Sequence, residues 1–284
     1  KKKNLKAVNL RFCWVVALHS EAKPLIEMFA MKILSNRSLF PIYLNHENGH
    51  VLIISGVGQV KSAAAAMFLR ERLGIQDFAA WINIGIAGCF KGPIASIHQA
   101  LKVVNHESGK SFFPGTSFSK IVHGAPLVTV GQPETNFSTP TLYDMEASGF
   151  CEIAPFFSCN ELTYVFKIVS DTPEAPKSLI NKDFVTSLIE KNKEVIFELV
   201  EAIDKLVQEE ERRLIVPDEL QKALVSYHFT ATNRARFHRV YKKWRSIFPS
   251  RSLIDCKQPP SSANDLISKL ETDLSIEAEN WNLT

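Results

Sequence analysis

Three largely apolar runs limit what this chain can become. They are Phe12 to Leu18, Phe78 to Ile84 and Leu162 to Val169. A run without polar alternation suits a strand buried on both faces, the kind found inside a sheet with helices on either side. Stretches with helical character lie between and after them. Ser20 is placed to cap a helix running to about Met31. Val60 to Leu73 is rich in alanine and stops at Gly74. Glu146 to Phe157 reads as a helix, and a long amphipathic helix is predicted from about Ser178 to about Arg212. The pair 40–45 and 50–55, turned at Asn48-Gly49, predicts a hairpin. Further strands are predicted over 98–105 and 126–130. This alternation of strand and helix makes the expected fold class α/β. The expected organisation is one α/β domain over 1–212 and a helical C-terminal extension over 213–284, the latter with helices over 220–226, 233–248 and 265–278. Ser262 or Asn264 is placed to cap the last of these.

Composition narrows the function class. Hydrophobic residues make up 45% of the 284-residue chain and charged residues 22%, with a formal net charge of +3. That charge gives no general case for nucleic-acid binding. The five cysteines, Cys13, Cys89, Cys151, Cys159 and Cys256, form no CxxC pair, and no His/Cys spacing suggests a metal site. No cofactor is expected. No apolar stretch is long enough to cross a bilayer, so no membrane partner is expected, and cytoplasm is the expected compartment.

In such sheets, ligand sites form where strands end and polar residues or glycines begin. The places concerned are 18–21, 55–58 with 83–88, and 169–171. Their residues carry a resemblance. Val16 to Leu25 (VALHSEAKPL) resembles the first strand and helix of the methylthioadenosine/S-adenosylhomocysteine nucleosidases, a branch of the purine nucleoside phosphorylase and uridine phosphorylase superfamily. Ser55 to Ala64 (SGVGQVKSAA), Ile82 to Gly88 (INIGIAG), Tyr143 to Ala147 (YDMEA) and Ile168 to Asp171 (IVSD) are similar to four further signatures, in family order.

The resemblance implies a three-layer α/β/α domain with a central mixed sheet, and cleavage of the bond between a purine and ribose. Cleavage builds positive charge on the sugar and negative charge on the base. By resemblance, Asp171 is the acid that protonates the purine, and Glu21 the base that activates water on the opposite face of the sugar. A helix-cap role for Asp171 and a first-turn role for Glu21 are the plainer alternatives. Glu146 would accept from the ribose hydroxyls and Met145 would pack on the sugar. Ser170, Asp144, Ala87, Gly88 and Phe113 are implied around the base and the rest of the substrate. Phe113 and Phe137 are both candidates for base stacking, and both suit core packing.

Related phosphorylases hold phosphate with an arginine two residues before the first glycine of the third signature. Here that residue is Asn83, which favours water as the attacking species, although backbone donors at Gly56 to Gly58 leave phosphorolysis open. Three departures from the family pattern stand out. Ile86 replaces a serine or threonine near the attacking oxygen, the segment 106–126 is short, and His19-Ser20 replaces an acidic pair. The expected substrate is a 5′-modified adenosine-type nucleoside, the expected assembly a homodimer. Phosphorolysis, or a nucleoside-binding scaffold without turnover, are the alternatives.

The resemblance stops at about residue 210. Beyond it, Arg234, Arg236, His238, Arg239, Lys242, Lys243 and Arg245 crowd one predicted helix among Phe237, Tyr241 and Trp244. That helix offers a surface for nucleic acid or an acidic partner, or else is a solvated face with docked aromatics.

Overall fold

A computed structural model of the chain describes residues 9–34, 38–116, 118–134, 137, 139–175, 180–215, 217–253 and 260–281. Cys256 lies outside them. The chain divides into two compact units, Lys1–Arg213 and Leu214–Thr284.

The first unit carries β1 (Phe12–Val16), α1 (His19–Met28), β2 (Lys32–Ile33), β3 (Ile42–Asn45), β4 (His50–Ile54), α2 (Gln59–Leu73) and β5 (Ala80–Cys89). They are followed by β6 (Ile97–Asn105), β7 (Ser111–Phe112), β8 (His123–Thr129), β9 (Leu142–Asp144), α3 (Ala147–Ile153), β10 (Thr163–Asp171), α4 (Lys182–Lys191) and α5 (Lys193–Leu214). The ten strands form one mixed sheet. β1 runs parallel to β4 and β5, and β5 parallel to β10, while β10 meets β6 antiparallel. Strands buried on both faces must be apolar throughout, and all residues of β1, β4 and β10 are buried. Successive side chains face opposite ways. Thus Cys13 and Val15 pack with Ala65, Leu69 and Phe150 of α2 and α3. Phe12, Trp14 and Val16 pack with Leu25, Leu188, Leu199 and Ile203 of α1, α4 and α5. The result is an α/β unit with helices on both faces of a mixed sheet.

Several sequence expectations are corrected. The strand predicted over 78–84 runs from Ala80 to Cys89, so Gly85 and Gly88 lie inside it rather than closing it. Ser20 is not a cap. α1 begins at His19, and the Glu21 carboxylate reaches back to the N–H of Leu18 at 2.9 Å. The long helix predicted to about Arg212 is two helices, broken at Asn192. The Nδ2 of that residue donates to the carbonyls of Ala95 and Leu188, holding the break against the connection between β5 and β6. The helix predicted over 146–157 gives way to a 3-10 turn after Ile153, at Pro155.

The second unit carries α6 (Asp218–Ser226), α7 (Ala231–Ile247) and α8 (Ala263–Trp281). Thr230 caps α7 by accepting from the N–H of Asn233 at 3.2 Å, and Ser262 accepts from Asp265 at the start of α8. Phe237, Tyr241 and Trp244 lie in a core shared with Leu220, Leu266, Ile267 and Leu270, which explains their helical spacing. Among the described residues no helix is long and apolar enough to cross a membrane.

Close packing between α2 and α3 depends on Gly149. A Cβ there would overlap the backbone carbonyl of Gln59, which cannot swing aside as a side-chain tip does. Gly149→Ala is therefore expected to destabilise the first unit by about 1–3 kcal/mol, as measured by urea unfolding. A midpoint equal to that of the wild type would refute this packing.

Candidate active site

A cavity of about 210 Å³ opens at the ends of β1, β5 and β10. Its walls include Glu21, Ile86, Ala87, Gly88, Phe137, Asp144, Met145, Glu146, Ser170 and Asp171. Three elements of backbone chemistry assemble it.

The first is glycine within β5. A Cβ at Gly85 would sit 2.7 Å from Oε1 of Glu21, and one at Gly88 would sit 2.5 Å from the ring of Phe137 and 3.2 Å from Oδ2 of Asp171. Both glycines leave room for an acid against the sheet. The second is an irregularity in β10. Its register with β5 shifts between Val169 and Asp171, so that Asp171 pairs with Gly88. Such a bulge re-aims side chains at a strand end. The third is the start of α3, where Asp144 accepts from the N–H of Ala147 at 2.8 Å and of Glu146 at 3.2 Å.

Glu21, Glu146 and Asp171, remote from one another in sequence, line this one cavity and are each at most 7% exposed. Glu21 takes a hydrogen bond on each oxygen, from the N–H of Leu18 and, at 2.8 Å, from the N–H of Ile86. Burial raises its carboxyl above the ordinary 4.5, against the pull of the Ile86 N–H and of Lys167. Glu146 accepts from the N–H of Gly58 at 2.9 Å. Burial, then the charge of Asp144, push its carboxyl up to about 7, with Lys167 opposing. Asp171 accepts the Ser170 hydroxyl on Oδ1 at 2.6 Å, whereas its buried Oδ2 has no hydrogen-bond partner among the described residues.

The residue that sequence reasoning missed is Lys167. It is 1% exposed in the middle of β10, and its Nζ lies 2.8 Å from Oδ2 of Asp144. Burial disfavours its charge, but Asp144, Glu146 and Glu21 outweigh this and raise its pKa. One ammonium therefore sits among three carboxylates. The signal was a lone lysine inside the apolar run TYVFKIV, which has no packing rationale without a buried acid.

Other expected residues fall differently. Met145 lines the cavity and packs beside Val130, Phe137 and Tyr143. Asp144 reaches the wall, and both its oxygens hold protein partners, Thr129 on one and Lys167 with the α3 N–H groups on the other. Phe113 is 63% exposed and lies outside the wall of this cavity. Phe137 is buried, faces the cavity and holds a φ of 36°, a conformation bulky residues rarely adopt. Asn83 is buried in β5 and donates to the carbonyl of Val15, so it does not face the cavity. Of the N–H groups considered for an anion, that of Gly58 is held by Glu146 and that of Gly56 by the Ala17 carbonyl.

Fold and cavity together define an α/β fold of the nucleoside phosphorylase type, with the cavity at the carboxyl ends of its strands. No family model and no curated protein matches the chain. Among solved structures, it is similar to the 5′-methylthioadenosine nucleosidase of Arabidopsis thaliana, at 17% identity and a TM-score of 0.58, covering 68% of this chain and 96% of that one. It is similar also to the 5′-methylthioadenosine/S-adenosylhomocysteine nucleosidase of Helicobacter pylori, at 14% identity and a TM-score of 0.56, covering 68% and 98%. The futalosine hydrolase of Helicobacter pylori matches at 15% identity with the same TM-score and coverage. At these identities the likeness is one of fold.

Removing the buried cation should leave Asp144 uncompensated. Lys167→Met is expected to cost about 3–5 kcal/mol of stability, and a denaturant midpoint near that of the wild type would refute the pairing. Glu146 holds its proton up to about 7 when folded but only to about 4.5 when unfolded, so folded stability falls as pH rises through that window. In Glu146→Gln the decline between those two pH values should be shallower, as read from paired urea titrations.

Proposed function

We propose that the first unit hydrolyses the N-glycosidic bond of a purine nucleoside, of adenosine type and modified at the 5′ position. The observation that carries this reading is the state of Asp171: a buried carboxyl on the cavity wall, one oxygen fixed by Ser170 and the other without a hydrogen-bond partner among the described residues. An acid so placed can deliver a proton to a leaving base at the position its free oxygen faces.

The other two acids supply the remaining needs of the reaction. Glu21, held by two backbone N–H groups, is the general base that takes the proton of the attacking water. Its raised pKa brings it closer to the working pH, where a base is most effective. Glu146 accepts from the ribose hydroxyls. Its hydrogen bonds strengthen as the sugar becomes cationic, which ties binding to the transition state. Because free Glu146 is half protonated at about pH 7, substrate hydroxyls and positive charge at the sugar favour its ionised form. Met145 supplies the apolar surface beneath the sugar, and Ala87, Gly88 and Ser170 border the base.

Hydrolysis is preferred to phosphorolysis for two reasons. The glycine N–H groups at 56 and 58 already have acceptors within the protein, and Asn83 is turned into the sheet. Ile86 is compatible with this chemistry because its backbone N–H, not its side chain, contacts Glu21. The likeness in fold to nucleosidases supports the same class of reaction. A homodimer in the cytoplasm and the domain division at about residue 212 belong to this reading too.

Incubation with adenosine-type nucleosides carrying varied 5′ groups, with and without phosphate, should release free base and unphosphorylated sugar in both conditions. Asp171→Asn should lower turnover by about 10²- to 10⁴-fold while leaving the thermal midpoint near that of the wild type. Base release that requires phosphate would favour phosphorolysis. Ligand binding without any release would favour the scaffold.

A further inference from the structure

We infer that α7 is a docking surface for double-stranded DNA, recognised through its phosphates. The first observation is a separation of charge within the second unit. α7 contains six lysines and arginines and no acidic residue, whereas α8 contains five acidic residues and one lysine. Pairing between the helices uses only part of this charge. Arg236 meets Glu271 at 2.6 Å, and Arg245 is drawn to Glu219 and to the carbonyl of Arg251. Arg234, Arg239, Lys242 and Lys243 are exposed and lack an acidic partner among the described residues.

Where these cations lie decides the kind of partner. At about 100° per residue, buried Phe237, Val240, Tyr241 and Trp244 share one face. Arg239, Lys242 and Lys243 point the opposite way, and His238 and Arg234 flank them. Holding so many like charges on one exposed face is unfavourable, and a polyanion relieves that repulsion. A single-stranded partner would require exposed aromatics on which bases stack. All three aromatic side chains of α7 are in the core instead, so the face is fitted to a phosphate backbone. A cationic arc about half the circumference of a helix suits the B-DNA major groove, about 12 Å wide, rather than the narrow major groove of duplex RNA. α7 is moreover the second of two helices joined by a four-residue connection, Tyr227 to Thr230, the order in which several DNA-binding units present their reading helix.

The test is anisotropy of a labelled, mixed-sequence DNA duplex titrated with the full chain. Four phosphate contacts predict a loss of affinity of about 10²-fold between 50 and 200 mM salt. The triple variant R239E/K242E/K243E, at exposed positions outside the cavity wall, should weaken binding by at least about tenfold with an unchanged circular dichroism spectrum. The milder pair K242Q/K243Q should flatten the salt slope by about two, a readout that survives if the triple variant fails to fold. Binding that is unaffected by both variants would overturn the proposal. So would tighter binding to the single strand, to duplex RNA, to phosphatidylserine vesicles or to polyglutamate than to the DNA duplex.

Discussion

The ion pair between Lys167 and Asp144 is the constraint on which the rest of the cavity depends. A lysine inside a fully buried strand is tolerated only with a carboxylate against it, and Asp144 serves. Asp144 in turn fixes the first turn of α3 through the N–H groups of Glu146 and Ala147, which sets the direction of the Glu146 side chain. The same ammonium attracts Glu21. One buried charge thus links β10, β9, α3 and α1. Its effect is electrostatic as well as geometric: a single cation among three acids cannot keep all of them ionised at low cost. Burial, and for Glu146 also the charge of Asp144, outweighs its pull, so Glu146 and Glu21 hold their protons to higher pH than free carboxyls.

Backbone groups, more than side chains, shape the remainder. The N–H groups of Leu18, Gly58 and Ile86 hold Glu21 and Glu146, while Gly85 leaves space for Glu21 and Gly88 for Phe137 and Asp171. The φ of 111° at Gly58 is one that a side chain would resist, and it turns that N–H toward Glu146. Such a site is rigid because its donors belong to the sheet and its connections. Under the hydrolytic reading, donors fixed in advance need little reorganisation when charge develops on the sugar.

Much of this was legible in the sequence. The apolar runs marked β1, β5 and β10, and the acids at 21, 146 and 171 stood at the element ends where such sheets gather ligands. The aromatic spacing of α7 was legible too, though not which of two meanings it had until Phe237, Tyr241 and Trp244 were seen in one core. What stayed hidden is non-local. The ion pair of Asp144 was not visible because its partner lies 23 positions further on in another strand. Phe113 and Phe137 are equivalent as letters, and only the course of the chain sends one to solvent and the other against Gly88. The break at Asn192 depends on a carbonyl at Ala95 that no local pattern announces.

The hydrogen bond from Ile86 to Glu21 uses an atom that every residue but proline possesses. The side chain at 86 faces the cavity while the main chain does the holding. Substitution there can reshape the chamber, making it drier, wider or more polar, without loosening the acid beside it. Under the hydrolytic reading, position 86 is therefore a dial for ligand preference that can be turned independently of the scaffold.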